Sequence, residues 1–361
     1  MATAVWAAVP ETDLGDMMNT NVAAAIAACW LATTGMTALA ADTSPKSWKA
    51  PRTADGQPDL QGIWTNATIT PLEREAKYGE RLSITEAEAA AVEKENADFR
   101  TEQDKPTDPS HGIQDLPKDC GGGFSGVNCG YNNFWVDPGS QLITINGERR
   151  TSIVTNPKNG RVPALKPEAR ARLAKMYAAY RSSGGADGPE IRPLGERCIL
   201  SFDSSAGPPM LPLLYNNNYQ IVQSKDTVLI NVEMVHDVRV VRLNGKHRPP
   251  SVKLWMGDSI GHWEGETLVI ETTNFRADQG FRGASENRKV TERLTRVSPT
   301  QILYSFTIDD PDSFESAWSG ELAFNATDQK IYEYACHEGN YALPGILAGA
   351  REEERAAAAK K

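Results

Sequence analysis

The part of the chain from residue 219 to residue 336 is a series of short segments with the period of β-strands. In 301–309, apolar residues occupy every second position, so Ile302, Tyr304 and Phe306 fall on one face of an extended strand. Peptides rich in Ser, Pro, Asp and Gly separate these segments. The predicted strands are 219–223, 227–235, 238–243, 252–256, 267–273, 289–297, 301–309, 315–322 and 330–336. Many short strands joined by tight turns favour an antiparallel architecture.

The predicted fold is therefore mainly β, an antiparallel meander that closes as a lipocalin-like barrel or stacks as a sandwich. Strands and helices do not alternate along the chain, which argues against a parallel α/β fold. The preceding part is predicted to be helical and loop-rich, with a strand near 58–66 and helices at about 83–100 and 166–181. Ser83 or Thr85 is the expected N-cap of the first helix.

These elements predict one mainly-β domain over residues 59–345. An extended, Pro-containing arm is expected at 41–58 and a charged tail at 346–361. The chain has 361 residues, of which 40% are hydrophobic and 24% charged, which is enough for a full core. With 38 basic against 47 acidic residues, the net charge is −9, so we expect a small-molecule partner and no nucleic acid.

The N-terminal 40 residues have the pattern of an export signal. An apolar run at 22–31 is too short to span a bilayer, and Ala38-Leu39-Ala40 matches the small-residue cleavage site. We expect a periplasmic or secreted protein whose mature chain starts near Ala41, without an integral membrane segment. Two alternatives remain open: lipidation at Cys29, and a true start at Met17 or Met18.

Removal of the signal leaves four cysteines, Cys120, Cys129, Cys198 and Cys336, an even number in an oxidising compartment. Proximity favours the disulfides Cys120–Cys129 and Cys198–Cys336. The alternative is a metal site, but zinc sites usually need two closely spaced cysteine pairs, and only one pair is close here.

The sequence has no phosphate loop, nucleophile elbow or HExxH motif, so candidate residues must come from polar positions in the strands. In 231–239, the alternation places Glu233, Asp237 and Arg239 on one face and His236 on the other. This face could line a barrel lumen as a polar ligand site. The alternative is a solvated face with a surface ion pair.

Two further segments carry candidate residues. At the end of the last predicted strand, His337 lies beside Glu338, and Asn340 and Tyr341 follow in a turn. A disulfide at Cys336 would hold this His and carboxylate in place for acid/base chemistry, although His337 could simply cap the strand.

The second segment is 215–219, where three consecutive asparagines lie between two tyrosines. Amide groups next to aromatic rings suit sugars or phenolic ligands, so Asn218 and Tyr219 are candidates for substrate binding. A simple turn is the alternative. By contrast, His247 is expected on the loop surface, and His262 is expected to be structural at a hairpin.

Several motifs of the mature chain resemble those of a family of exported bacterial proteins of the soil proteobacterial and acidobacterial type. They are PDLQGIW at 58–64, GPPM at 207–210, NNNYQIV at 216–222, EMVHD at 233–237, WEGETL at 263–268 and YEYACHEGNY at 332–341. The resemblance covers nearly the whole mature chain. It implies export and one coherent domain, and it implies no particular reaction.

The function predicted from these features is acid/base hydrolysis, elimination or isomerisation of a small polar or aromatic molecule, of glycoside or phenolic type. The predicted catalytic residues are His337, His236, Glu338, Asp237 and Glu233. The predicted substrate-binding residues are Arg239, Asn218, Tyr219, Asn340 and Tyr341. No cofactor or metal is required by this scheme. The alternatives are a non-catalytic binding protein with a barrel cavity and a metal-dependent enzyme that uses His236 and His337.

Mass spectrometry of the protein purified from the periplasm, without reduction, tests the compartment and the cysteine pairing together. We expect a chain that starts near Ala41 and is lighter by about four hydrogens, as two disulfides require. Free thiols would contradict the predicted oxidising compartment, and a bound metal would favour the metal-dependent alternative.

Overall fold

A computed structural model describes residues 48–103, 136–182, 185–201 and 207–360. The predicted signal segment with Cys29 and the predicted pair Cys120–Cys129 lie outside these residues. In the described part of the chain, the strands are β1 (Gly62–Thr65), β2 (Ser83–Ile84), β3 (Thr144–Ile145), β4 (Glu148–Arg150), β5 (Val154–Asn156), β6 (Asn218–Gln223), β7 (Thr227–Val232), β8 (Val238–Leu243), β9 (Asp258–Glu264), β10 (Thr267–Thr273), β11 (Lys289–Ser298), β12 (Gln301–Asp309) and β13 (Trp318–Ala326). The α-helices are α1 (Glu86–Gln103), α2 (Pro167–Ser182) and α3 (Ala342–Ala359).

Nine strands close into a barrel, which confirms the mainly-β fold and selects the barrel over the sandwich. The strands follow the order β1, β6, β7, β8, β9, β10, β11, β12, β13, and β13 pairs back with β1 through Trp64 and Ala326. β5 adds to the other end of β13, and β2, β4 and β3 form a separate small sheet. Closure pairs the backbone N–H and C=O groups that an open sheet would leave without partners at its edges.

One neighbouring pair departs from the antiparallel pattern, because β8 and β9 run parallel. The predicted strand at 252–256 is wrong: the chain crosses over in this region and forms β9 after it. A parallel pair needs such a crossover, since a tight hairpin can join only antiparallel strands. Gly261 permits the close pairing, because a Cβ atom there would lie 2.8 Å from Cγ1 of Val241.

The predicted strand at 330–336 is also wrong. These residues form no strand, because β1 and β5 already occupy the positions beside β13. The predicted charged tail at 346–361 belongs largely to the helix α3. Its Ala-rich sequence has a high helix propensity, and the i,i+3 pairs Arg351–Glu354 and Glu352–Arg355 add support.

Local sequence signals explain the start of α1 and the turn between β3 and β4. Thr85 caps α1, since its Oγ1 accepts a hydrogen bond from the Glu88 N–H at 3.2 Å, while the Glu88 carboxylate accepts the Thr85 N–H at 2.9 Å. Asn146 and Gly147 have φ angles of 53° and 78°, which form the tight turn between β3 and β4.

Large aromatic side chains fill the barrel interior. They alternate with outward-facing residues along the strands, and they are Trp64, Tyr219, Tyr304, Phe306, Trp318 and Phe324. Neighbouring rings contact each other at centroid distances of 5.0 Å for Tyr219–Phe324 and 5.2 Å for Tyr304–Phe324. Because each such ring buries about 150–250 Å², this cluster supplies much of the hydrophobic stabilisation of the fold.

A buried ion pair crosses this aromatic interior. Arg239 from β8 donates to Glu292 from β11 through Nη1 at 3.0 Å and Nη2 at 2.6 Å, and both side chains are almost fully buried. Tyr304 donates its hydroxyl to Glu292 at 2.8 Å, and burial raises its pKa well above the usual value, so it remains a donor. The guanidinium predicted to bind substrate therefore holds a carboxylate of the protein itself.

The segment 207–210 packs directly against this network. The Met210 N–H donates to the Tyr304 hydroxyl oxygen at 2.9 Å, and the Met210 carbonyl accepts from Asn66 Nδ2 at 3.2 Å. Gly207 has a φ angle of 97°, and a Cβ atom there would lie 3.0 Å from Arg239 Nη1. The GPPM motif thus has a glycine at position 207 because the backbone there passes close to the buried Arg239 guanidinium.

Removal of one member of the ion pair should destabilise the barrel more than removal of both. Glu292→Leu leaves the Arg239 guanidinium buried without a counter-ion, and we expect a loss of about 3–5 kcal/mol in the free energy of unfolding. The double variant Arg239→Met/Glu292→Leu should recover a large part of this loss. Urea unfolding measures both; a double variant as unstable as Glu292→Leu would contradict a charge-compensation role.

Candidate functional site

The connection between β7 and β8, residues 233–237, has an unusual backbone. Val235 and His236 both have positive φ angles, 59° and 46°. A β-branched residue in this region costs about 1–3 kcal/mol, and such strain persists where the surroundings fix it. The predicted strand 227–235 therefore ends at Val232, and Met234–His236 form a 3₁₀ turn. The strict alternation used to assign faces to His236 and Asp237 does not apply here.

Glu233 begins this turn with its carboxylate buried and fully bonded. Its side chain is 3% exposed. Asn218 Nδ2 donates to Oε2 at 2.8 Å, and the backbone N–H of Tyr332 donates to Oε1 at 3.2 Å. Asn218 also contacts Gln329, whose Oε1 accepts from the same Nδ2 at 3.2 Å. Glu233 thus joins the start of β6 to the segment that follows β13.

Asp237 ends the turn, and its carboxyl group lacks such partners. It is partly buried, and its Oδ2 has no hydrogen-bond partner among the described residues. Burial raises the pKa of Asp237 to about 7, although the neighbouring His236 acts in the opposite direction. At neutral pH this carboxyl is therefore present in both protonation states, so it can accept or donate a proton.

His236 lies beside Asp237 with its ring exposed. Its Nδ1 is 2.9 Å from the carbonyl oxygen of Tyr334. A carbonyl can only accept, so Nδ1 carries the proton and donates, which leaves Nε2 at the exposed side. The Tyr334 ring is nearly parallel to that of Tyr215, at a centroid distance of 6.5 Å and an angle of 8°.

A disulfide joins Cys198 to Cys336, as predicted. It fastens the segment that contributes the Tyr332 N–H and the Tyr334 carbonyl to the turn at 233–237. Three separate sequence segments therefore meet at one place: Asn218, the turn 233–237, and residues 332–336. We call this place the turn site.

The other predicted site residues lie elsewhere. Tyr219 and Arg239 belong to the barrel interior. His337, Glu338 and Tyr341 are exposed in the turn before α3, and Tyr341 is 82% exposed. Asn340 is engaged at the start of α3: its Nδ2 donates to the Glu196 carbonyl at 2.6 Å, and its Oδ1 accepts from the Leu343 N–H at 3.3 Å. The structure does not bring these residues to the turn site, and their predicted roles remain predictions.

His247 lies in the loop after β8, as expected, but its side chain is only 22% exposed and it was not among the predicted site residues. Its ring lies between two carboxylates, with Nδ1 3.0 Å from Asp258 and Nε2 3.2 Å from Glu271. Burial acts to raise the pKa of Asp258, but hydrogen bonds from Arg242, Arg248 and His247 outweigh it and lower this pKa to about 2. These partners come from distant positions, and no local sequence pattern reveals them.

Two surface clefts, of about 510 and 340 Å³, lie away from the turn site. Within the part of the chain that the structure describes, no three His, Cys, Asp or Glu side chains are placed to hold a metal ion. None of the described helices combines the length and the apolar character needed to cross a bilayer.

Comparisons of the chain with models of protein families, with curated proteins and with solved structures give no match.

The raised pKa of Asp237 predicts a pH-dependent cost to stability. Because the carboxyl titrates near pH 4 when unfolded and at about 7 when folded, wild-type stability should fall as the pH rises across this window. The side chain introduced by Asp237→Asn is uncharged at every pH, so the variant protein avoids this loss of stability. We expect urea unfolding to give equal stability near pH 4 and a gain of about 1–3 kcal/mol for the variant at about pH 8. Equal stabilities at both pH values would contradict the raised pKa.

Proposed function

We propose that this chain is an exported enzyme that acts by acid/base chemistry on a small hydroxylated molecule of glycoside or phenolic type. The observation that carries the proposal is Asp237, a partly buried carboxyl with an unpartnered oxygen and a pKa of about 7 in a strained turn. Carboxyls with raised pKa values in strained surroundings are typical of functional sites.

The neighbouring groups suit a division of roles. Asp237 moves the proton between substrate and solvent, and hydrolysis, elimination and isomerisation each require such a transfer. Glu233 and Asn218 are positioning residues, because their mutual hydrogen bond holds the turn to β6. His236 presents Nε2 beside Asp237, where it can bond a substrate hydroxyl.

The charges and rings around the turn favour an uncharged substrate. Glu233 and Asp237 are both acidic, and the nearby guanidinium of Arg239 is already neutralised by Glu292. Tyr334 and the 68%-exposed Tyr332 offer aromatic surface, which packs well on sugar or phenol rings. These features support a neutral substrate rather than a carboxylate.

The Cys198–Cys336 disulfide supports the proposed export, since such bonds persist in the periplasm or outside the cell. The alternative of a ligand held in the barrel lumen receives little support, because aromatic side chains and the Arg239–Glu292 pair fill that space. The metal-dependent alternative has no ligand cluster among the described residues to support it.

Turnover of neutral aryl glycosides and phenolic esters by the purified chain is the direct test of this proposal. For a substrate that is turned over, we expect the rate to change around pH 7 and Asp237→Asn to lower kcat/KM by about 10²–10⁴-fold. Asp226→Asn is the matched control: this exposed residue lies at the other end of β7, and its substitution should leave the rate unchanged.

Two outcomes would overturn the proposal. One is a turnover that Asp237→Asn leaves intact. The other is tight ligand binding without turnover that survives both Asp237→Asn and His236→Ala, which would assign a binding protein instead.

A further inference from the structure

Arg288 is a fully buried arginine in the connection between β10 and β11. Its side chain has 0% exposure. Nη1 donates to the carbonyl oxygens of Ser285 at 2.9 Å and Gln279 at 3.4 Å. The guanidinium carbon lies 3.7 Å from the centre of the Phe275 ring, which covers one face of the group.

The opposite edge of this guanidinium is unpartnered. Nε and Nη2 are both buried and have no hydrogen-bond partner among the described residues. Other arginines of the described chain with a buried unpartnered nitrogen lack a partner at Nε alone; these are Arg149, Arg150, Arg239, Arg296 and Arg351. Nε and Nη2 share one edge of the guanidinium, and together they form the fork that grips the two oxygens of a carboxylate.

No described carboxylate is hydrogen-bonded to Arg288. Asp310 is the acidic residue that acts on it electrostatically, but the Asp310 oxygens are held by Ser285, at 2.8 Å from Oγ and 2.6 Å from the N–H. Burial of a guanidinium without a bonded counter-ion is unfavourable, and it lowers the pKa of Arg288 to about 10. Arg239, in contrast, is equally buried but holds Glu292 through two hydrogen bonds.

A second buried polar group borders the same region. Gln279 is 3% exposed, and its Oε1 has no partner among the described residues, while its main-chain carbonyl contacts Arg288. Residues 284–287, directly before Arg288, line the 510 Å³ surface cleft together with residues that include Lys166, Glu168, Arg172 and Asp312.

We propose that Arg288 forms a binding site for a small carboxylate anion, whose two oxygens bond Nε and Nη2 while Phe275 covers the guanidinium face. The anion supplies the hydrogen-bonded counter-charge that no described residue provides. This site is separate from the turn site, and its occupancy does not depend on the proposed acid/base activity.

NMR of the arginine Nε–H groups in the whole protein tests this site in wild type, with sodium formate as the probe and sodium chloride as the reference at equal ionic strength. We expect the Arg288 signal to shift saturably with formate, and the Arg239 signal to stay in place because Glu292 already bonds its Nη1 and Nη2 and supplies its counter-charge. Arg288→Lys, which keeps the charge and loses the fork, identifies the signal and should abolish the shift.

Thermal unfolding provides the second measurement. Formate should raise the Tm of the wild type above that in chloride, because a ligand that binds only the folded state stabilises it, and this difference should vanish in Arg288→Lys. If that variant does not fold, the wild-type NMR titration decides by itself. An Arg288 signal that ignores formate, or that responds equally to chloride, overturns the proposal; the latter would mean a general salt effect.

Discussion

The architecture depends on how the barrel accommodates a charge in an interior made of aromatic rings. Arg239 and Glu292 bond each other through two contacts, and Tyr304 donates a third hydrogen bond to the carboxylate. Through these groups, β8, β11 and β12 are linked across the interior in addition to their ladders. The segment 207–210 then closes on the same groups through Met210. Since buried charges without partners are strongly unfavourable, these four parts of the chain can pack only together.

The same principle separates two fully buried arginines, Arg239 and Arg288. Arg239 is compensated by a residue of the chain, so it contributes to a fixed core. Arg288 has a ring on one face, two carbonyls on one nitrogen and, among the described residues, no bonded carboxylate. The turn site shows a third case. Burial raises the pKa of Asp237 to about 7, so its carboxyl takes up a proton near neutral pH. Buried charges thus have different consequences according to the partner that the fold provides.

Much of the barrel could be predicted from sequence, because its signals are local. Alternating residues such as Ile302 and Tyr304 mark a strand wherever it lies, and Thr85 with Glu88 marks the start of α1. β9 was missed because Gly261 interrupts the pattern of a strand, although this glycine permits close packing on Val241. The turn site was predicted only in part: the residues of 233–237 were identified, but positive φ angles at Val235 and His236 cannot be seen in a period-2 pattern. The environment of His247 could not be predicted, because its ring contacts Asp258 and Glu271, which lie 11 and 24 positions further along the chain.

The disulfide has a topological consequence for the barrel. Cys198 and Cys336 are separated by 138 positions and close a covalent ring that contains every barrel strand except β1. In an oxidised but unfolded chain, these eight strands remain within one loop, which in the chain-entropy view lowers the cost of bringing them together by about 4–5 kcal/mol. β1, only four residues long, lies outside the ring and completes the circle between β6 and β13. Eight barrel strands therefore lie within one disulfide-closed loop. The ninth strand, β1, precedes this loop in the sequence and completes the barrel between β6 and β13.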